Sequence, residues 1–485
     1  MQLLALPWLE WAILLALVGA PVVALFRDRD AQVRACLGFS GLSFACAFLA
    51  WLAQYSDVPT DASLEVLPLI FGSRLFRLDE LSAPLFGSVA LLHFLTALAT
   101  TRTKMTRFSY AGMLVAESIR LAGFACMEPW PLITILGIST LPPLFELMRR
   151  KKPIRVYAIH MALFMALLVF GWWLVETHGA EKNSWATVPL MLAILIRSGT
   201  VPAHCWITDL AEHGAFGSTL LLFAPLGGVY AAIRLALPVA PDWVLRSVGW
   251  VSVVTAVYAA CMANVQRDAR RFFAYLFLSH AALVLVGLEF ATSRGVGLTG
   301  ALCLWYSIII SIGGLGLTLR ALEARFGPLT LTRFHGLYEH SRMLAVFFLL
   351  TGLASVGFPG TLGYISAELL VDGALEANIY VGLAVILAGA LNGIAVLRTY
   401  LILFTGTRHA SSFNLAITPR ERFAVVVLAC LVIGGGLFPQ PGVASRQRAA
   451  NTILALRHSS GISVEEDDEF PEFAMDGKKH LEAPK

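Results

Sequence analysis

The 485-residue sequence is 57% hydrophobic and only 14% charged, with a mean hydropathy of +0.73. That is more apolar surface than one water-soluble core can bury, so lipid is the expected solvent for most of the chain. The formal charge of +4 is small and spread over connections, which gives no footprint for nucleic acid. Seven cysteines are scattered without a CxxC pair and read as packing residues, leaving neither an iron–sulfur nor a zinc site.

Runs free of Asp, Glu, Lys and Arg, such as 11–26, 161–175, 272–288 and 423–437, show no period-two alternation. They predict helices approaching the ~20 residues that cross hydrocarbon. The expected fold class is an all-α integral membrane protein of about 14 transmembrane helices. These fall near 8–26, 33–55, 80–100, 108–126, 130–148, 154–175, 186–208, 216–237, 244–263, 271–290, 297–322, 342–374, 378–406 and 421–438. The first run lacks a basic n-region and a clear cleavage site, so it reads as a membrane helix and not as a signal peptide.

Basic residues gather in or beside alternate connections: Arg27, Arg29 and Arg34; Arg102, Lys104 and Arg107; Arg149 to Lys152; Arg267, Arg270 and Arg271; Arg325, Arg333 and Arg342; Arg408, Arg420 and Arg422. The positive-inside rule puts these in the cytoplasm and both termini on the opposite face, as in a bacterial inner membrane. The connection 209–215 departs from this pattern, since it holds no Lys or Arg. Residues 439–485 read as a soluble tail with the acidic run Glu465–Glu469, and 443–458 as a short interfacial helix.

Two helices contain breakers, Gly199-Thr-Val-Pro202 in the seventh and Gly357-Phe-Pro-Gly360 followed by Gly363 in the twelfth. Proline removes a donor and clashes with the preceding turn, so each helix is expected to unwind where its free backbone groups find a polar cavity or protein partners. Each is the fourth helix of a five-helix block, the pattern of an inverted-repeat transporter. The expected organisation is an N-terminal three-helix region (1–107), a first repeat (108–237), a second repeat (244–406), a last helix (407–438) and the tail (439–485).

Ionisable groups inside hydrocarbon are costly and read as functional. Here they are Glu117 and Arg120, placed to pair on one helix face, then His160, Arg197, Arg234, His280, Glu368 and Arg398. Arg197, Glu368, Glu117, His280, His160, Arg234 and Arg398 form the expected proton or ion pathway. Snorkelling of Arg234 and Arg398, and simple interhelical hydrogen bonding of the histidines, are the competing structural readings. Glu146 and Glu289 are assigned to helix ends that solvent reaches. Asp268 is expected to cap the tenth helix.

The segment Arg197-Ser-Gly-Thr-Val-Pro-Ala-His-Cys-Trp-Ile-Thr-Asp209 resembles the broken helix of the antiporter-like, proton-conducting subunits of complex I, formate hydrogenlyase and Mrp antiporters. So do Phe76-Arg-Leu-Asp-Glu-Leu-Ser82, Asn264 to His280 with Asp268, Arg271 and Tyr275, and Phe358-Pro-Gly-Thr-Leu-Gly-Tyr-Ile-Ser-Ala-Glu368. The resemblance spans roughly 75–400 and marks Asp79, Pro202, His204, Asp209, Asp268, Arg271 and Pro359 as its structural motif residues. It implies H⁺ or Na⁺ translocation coupled to other subunits of a membrane complex. The partner is a redox arm of NADH-quinone oxidoreductase or hydrogenase type, sister antiporter subunits, or the zinc-containing partner of a two-component inorganic-carbon transporter. The fifth-helix glutamate of that family is missing from Leu136-Gly-Ile-Ser-Thr-Leu-Pro142, Arg197 stands where a lysine is usual, and Glu368 is displaced by one residue. No cofactor motif, metal site or catalytic constellation accompanies these residues. The alternative is a non-conducting scaffold that seats a partner.

Overall fold

The computed structural model describes residues 6–56, 75–100, 108–179, 184–290, 295–407 and 417–459. The described residues are helical apart from turns and two isolated bridges, Phe76 with Cys126 and Asp268 with Thr330. Helices α1 (Trp8–Leu25) and α2 (Arg29–Tyr55) form a hairpin whose second arm starts where the Asp28 carboxylate accepts the Ala31 amide. Then follow α3 (Ser82–Leu98), α4 (Tyr110–Ala125), the bent pair α5 (Pro129–Ile138) and α6 (Leu141–Arg149), and α7 (Arg155–His178). The first broken helix is α8 (Val188–Ser198) with α9 (Cys205–His213).

Next come α10 (Phe216–Phe223) and α11 (Gly227–Ala231), which runs into a π-helical turn at Ala232–Ala236. Helices α12 (Asp242–Val265), α13 (Ala269–Glu289) and α14 (Gly295–Phe326) precede the second broken helix, α15 (Arg342–Ser355) with α16 (Leu362–Ala377). The series ends with α17 (Ile379–Phe404), α18 (Pro419–Leu437) and α19 (Gln440–Ser459). The core lies on α13 and α14, whose apolar windows are 100% and 94% buried, whereas α7 buries 28%. A helix apolar on every side belongs at the centre of such a bundle.

Among the described residues nine spans are long and apolar enough to cross a membrane. Helices α18 and α19 pass that test only together across an 81° bend, and α3, Trp185–Ser198 and α15 are shorter apolar helices. The chain is an all-helical, multi-pass integral membrane protein.

Two features depart from the sequence expectation, and a third accounts for an exception within it. The helix expected to run unbroken over 216–237 is interrupted at Pro225 and Leu226, where Leu226 adopts a left-handed φ of 50°. Proline denies the ladder a donor there, and the freed Pro225 carbonyl accepts the Trp305 indole N–H at 3.1 Å. Secondly, residues from 440 onward do not begin a soluble tail. Helix α19 docks on the bundle because Arg446, Ala449, Ala450, Ile453, Leu454 and Arg457 recur at helical spacing on its buried side. Arg446 donates to the carbonyls of Leu81 (3.0 Å) and Glu80, and Arg457 donates to the Leu237 carbonyl and the Asp242 carboxylate. The third feature is the cation-free connection 209–215, which is held by its neighbours' cations: Arg150 donates to the His213 carbonyl, and Arg270 to those of Ala211, Glu212 and Gly214. The acidic run 465–469 and the basic residues Arg102, Lys104, Arg107 and Arg408 lie outside the described residues.

Candidate functional site

At the first break, α8 ends on Gly199 in the left-handed region (φ 74°), a conformation that favours glycine. The Thr200 amide donates back to Leu195 (3.0 Å), the Val201 amide donates to the Thr255 hydroxyl (3.0 Å), and the Trp206 indole donates across the gap to the Ile196 carbonyl (2.8 Å). These bonds satisfy groups that an unwound helix would leave bare in hydrocarbon. Arg197 sits in the last turn before the break, 7% exposed, with its Nη1 3.9 Å from the Met161 sulfur. Its guanidinium lies over the rings of Phe164 (5.9 Å) and Trp206 (5.6 Å), and its Nε has no partner.

A succession of spaces and polar groups passes through this break. A cavity of about 330 Å³ is lined by Arg149, Arg150 and Glu146 at one end and by Arg120 at the other. Arg120 also lines a second cavity of about 40 Å³, together with Ser139, Arg197 and Tyr230. Arg197 in turn lines a third of about 20 Å³ beside Ser198 and Leu226. Beyond, the Tyr230 hydroxyl reaches the Phe124 (3.0 Å) and Cys126 (3.2 Å) carbonyls and accepts from Arg234 Nε (3.1 Å). Arg234 then pairs with Asp79, its Nη2 2.8 Å from both carboxylate oxygens. Burial pushes the Asp79 carboxyl up, but the Arg234 charge and the Ser82 amide more than offset this and hold it below the usual carboxylate range.

Glu117 and Arg120, expected to pair, make no ion pair. Glu117 accepts the Ser40 hydroxyl (2.9 Å), while Arg120 donates to His93 Nε2 (2.9 Å) and to the Ala116 carbonyl (3.1 Å). With Nε2 accepting, His93 is a neutral tautomer whose Nδ1–H donates to the Val89 carbonyl at 2.8 Å.

The second break differs. Gly357 and Gly360 both have positive φ (85° and 82°), and a Cβ on Gly363 would collide with the Ala354 carbonyl oxygen, so the two half-helices touch backbone to backbone. His280, fully buried, places Nδ1 2.7 Å from the Leu276 carbonyl and Nε2 2.7 Å from that of Ser355, the last residue of α15. Ser279 accepts from Asn392 (2.9 Å) and donates to the Ala256 carbonyl. Arg398, on α17, has a buried Nη1 with no partner.

Glu368 does not join the interior residues. Helix α16 buries Gly363, Ser366, Leu370 and Ala374, largely against α14, and that spacing turns position 368 to the outer surface, where its carboxylate accepts the Tyr364 hydroxyl at 2.5 Å. Glu289, assigned to a solvated helix end, is instead 2% exposed, with Ser252 as its polar neighbour and neither carboxylate oxygen at bonding distance of a donor. The end of α13 is buried because the whole helix is central.

Among the motif residues, Asp268 caps α13, accepting the Arg270 (2.8 Å) and Arg271 (3.1 Å) amides. Arg271 pairs with Glu212 (2.9 Å) and Asp209 with His213 (3.1 Å). His204 stacks edge-on to Tyr258, and His160 bonds the Val156 carbonyl one turn back. Pro202 and Pro359 lie in the two breaks, with the Pro359 segment at the surface. His93, Tyr230 and Asn392 were not singled out by the sequence reading. Among the described residues no group of three His, Cys, Asp or Glu is gathered as for a metal ion.

Residues 160–392 match the family described as NADH:quinone oxidoreductase/Mrp antiporter, transmembrane. The chain is 24% identical to the NAD(P)H-quinone oxidoreductase chain 4 1 of a Nostoc species, over 95% of this chain and 93% of that protein. Its fold resembles a chain of respiratory complex I from Thermus thermophilus (TM-score 0.78, 22% identity, covering 93% of this chain and 99% of that one). It equally resembles a chain of the Mrp complex from a Dietzia species (TM-score 0.79, 17% identity, 95% and 99%).

Proposed function

We propose that this chain, whose residues 160–392 match the NADH:quinone oxidoreductase/Mrp antiporter transmembrane family, is a proton-translocating, antiporter-like subunit of a multi-subunit membrane complex. The observation that carries this reading is the succession of cavities and hydrogen bonds at the first break, from Glu146 and Arg150 through Arg120 and Arg197 to Tyr230, Arg234 and Asp79. Groups of this kind, with water in the cavities, can relay a proton, and fixed guanidinium charges set the energy of each step. Arginine holds its own proton too tightly to be the carrier. The energy source is taken to be a partner, either a redox arm like those for which the relatives are named or sister antiporter subunits. Inorganic-carbon pairing has no relative among those named above.

Within this reading the 14-helix count, the two inverted five-helix repeats over 108–237 and 244–406, and non-cytoplasmic termini are carried forward. Glu368, on the outer surface beside Tyr364, is assigned to the contact with a neighbouring subunit, since a lone lipid-facing carboxylate is costly. Proton flux in proteoliposomes, normalised to assembled protein, provides the test. Tyr230→Phe removes the hydroxyl that links the cavity to Arg234 and is expected to cut flux at least about tenfold, as expected for a relay group. Arg197→Lys keeps the charge and retains flux. A scaffold would show no proton flux above empty vesicles, or the same flux in Tyr230→Phe as in wild type.

A further inference from the structure

Two buried arginines share one small space in this protein, and the acid nearest them, Glu117, acts on Arg120 through space without forming an ion pair. Arg120 and Arg197 both line the cavity of about 40 Å³, and among the described residues neither has a carboxylate within ion-pair distance. The nearest acid in sequence, Glu117, turns to Ser40. Arg197 lies against a thioether and two ring faces, and its buried Nε is unpaired among the described residues. Cations in a low-dielectric interior are stable only with a counter-charge or water to replace lost hydration. The remaining polar wall cannot supply that charge: Ser139 donates to the Leu136 carbonyl and Tyr230 is bound to backbone carbonyls and Arg234.

We propose that the cavity between Arg120 and Arg197 is a binding site for one small monovalent anion, of halide or bicarbonate size. Its volume exceeds the ~10–15 Å³ that a single water requires, so an ion and a water fit together. Planar guanidinium forks suit both spherical and trigonal anions. Access is through the adjoining cavity of about 330 Å³, which shares Arg120 and reaches the surface at Arg149 and Arg150. The one acid at that mouth, Glu146, is engaged by the Ala215 amide (2.6 Å) and by Arg150 (3.5 Å), so the entrance is cationic overall. The bound anion supplies the missing counter-charge whether or not protons pass along the same axis.

The test is thermal unfolding of the full chain in detergent, titrated with chloride, nitrate or bicarbonate at constant ionic strength, with gluconate as the balancing anion too large for the cavity. Wild-type protein should gain stability saturably with at least one of the small anions, and the anion acting at the lowest concentration identifies the preferred ligand. Leu136→Glu sets a tethered carboxylate on the cavity wall and should abolish that dependence. An equal gain in Leu136→Glu, or no gain in wild type with any of the three, overturns the site. Wild-type crystals soaked in bromide give a second reading that needs no variant: an anomalous peak between the two guanidinium groups supports the site, and none at saturating bromide refutes it.

Discussion

The two broken helices solve the same backbone problem in different surroundings. At the first, the charged residue beside the break, Arg197, is buried among cavities that continue on both sides, and polar groups lead away from it to the Arg234–Asp79 pair. At the second, the interior is closed by His280 bonding the Ser355 carbonyl, the half-helices touch at Gly363, and the charged residue, Glu368, faces outward. A proline and glycine breaker therefore specifies that a helix opens, while the phase of the following half-helix decides whether the opening is wired into the protein or turned toward a neighbour. Within the proposed function, that contrast is the reason for placing conduction at the first break and contact at the second.

The contrast in rigidity has the largest expected effect on stability. Gly363→Ala drives a methyl group into the Ala354 carbonyl, a backbone atom that cannot step aside, and should cost about 3 kcal/mol. Gly199→Ala meets side chains and not backbone, chiefly the end of Ile207 with Leu278 at ordinary contact, and suffers chiefly its positive φ, about 1–2 kcal/mol. Unfolding midpoints of the two purified variants measure the difference, and a larger loss at Gly199 would reverse the ranking of the two breaks.

The far end of the first path comes next. Arg234→Met leaves Asp79 partly buried without its counter-charge and should cost about 2 kcal/mol at neutral pH, with part restored by adding Asp79→Asn. Because the Asp79 carboxyl is held below its usual range in the folded chain, the pair's contribution is fully present above the unfolded carboxylate pKa. It is lost only as pH falls through the lower folded value. A wild-type minus Arg234→Met stability difference that vanished between pH 6 and 8, roughly two units above carboxylate titration, would contradict the pairing.

A smaller effect is expected at the start of α13. Asp268→Ala removes an N-cap that accepts two amides and should cost about 1 kcal/mol, lowering the yield of folded protein without lowering flux per molecule. Normal yield with lost flux would move Asp268 from the scaffold into the pathway.

What the sequence made legible was local. Helices, the two breaks and the Asp268 cap each follow from a few neighbouring residue types, and each is present in the fold. The misplacements arose where the outcome depends on distant packing. Glu368 lies nine residues past Pro359, and a break resets the helical phase, so its face is visible only from which residues of α16 are buried. Glu289 sits at a helix end, yet that end is covered because α13 is central. Glu117 and Arg120 have the spacing of a pair, but Ser40 and His93 on other helices compete for them. Tyr230 and Asn392 carry no charge, although a polar side chain in an apolar span is itself a signal, and His93, as ionisable as His160 and His280, lies in the expected 80–100 span with the same signal. The docking of α19 rested on six positions diluted among polar neighbours.

The most direct measurement sets the two breaks against each other in one assay: proton flux by the assembled complex in proteoliposomes, normalised to its amount, for Arg197→Ala and Glu368→Gln. Conduction through the first break predicts at least a tenfold loss for Arg197→Ala, about 1.4 kcal/mol or more in barrier terms. Flux per assembled complex should stay near wild type for Glu368→Gln, with any deficit appearing in assembly. Abolished flux in fully assembled Glu368→Gln, together with retained flux in Arg197→Ala, would place the pathway at the second break and contradict the assignment.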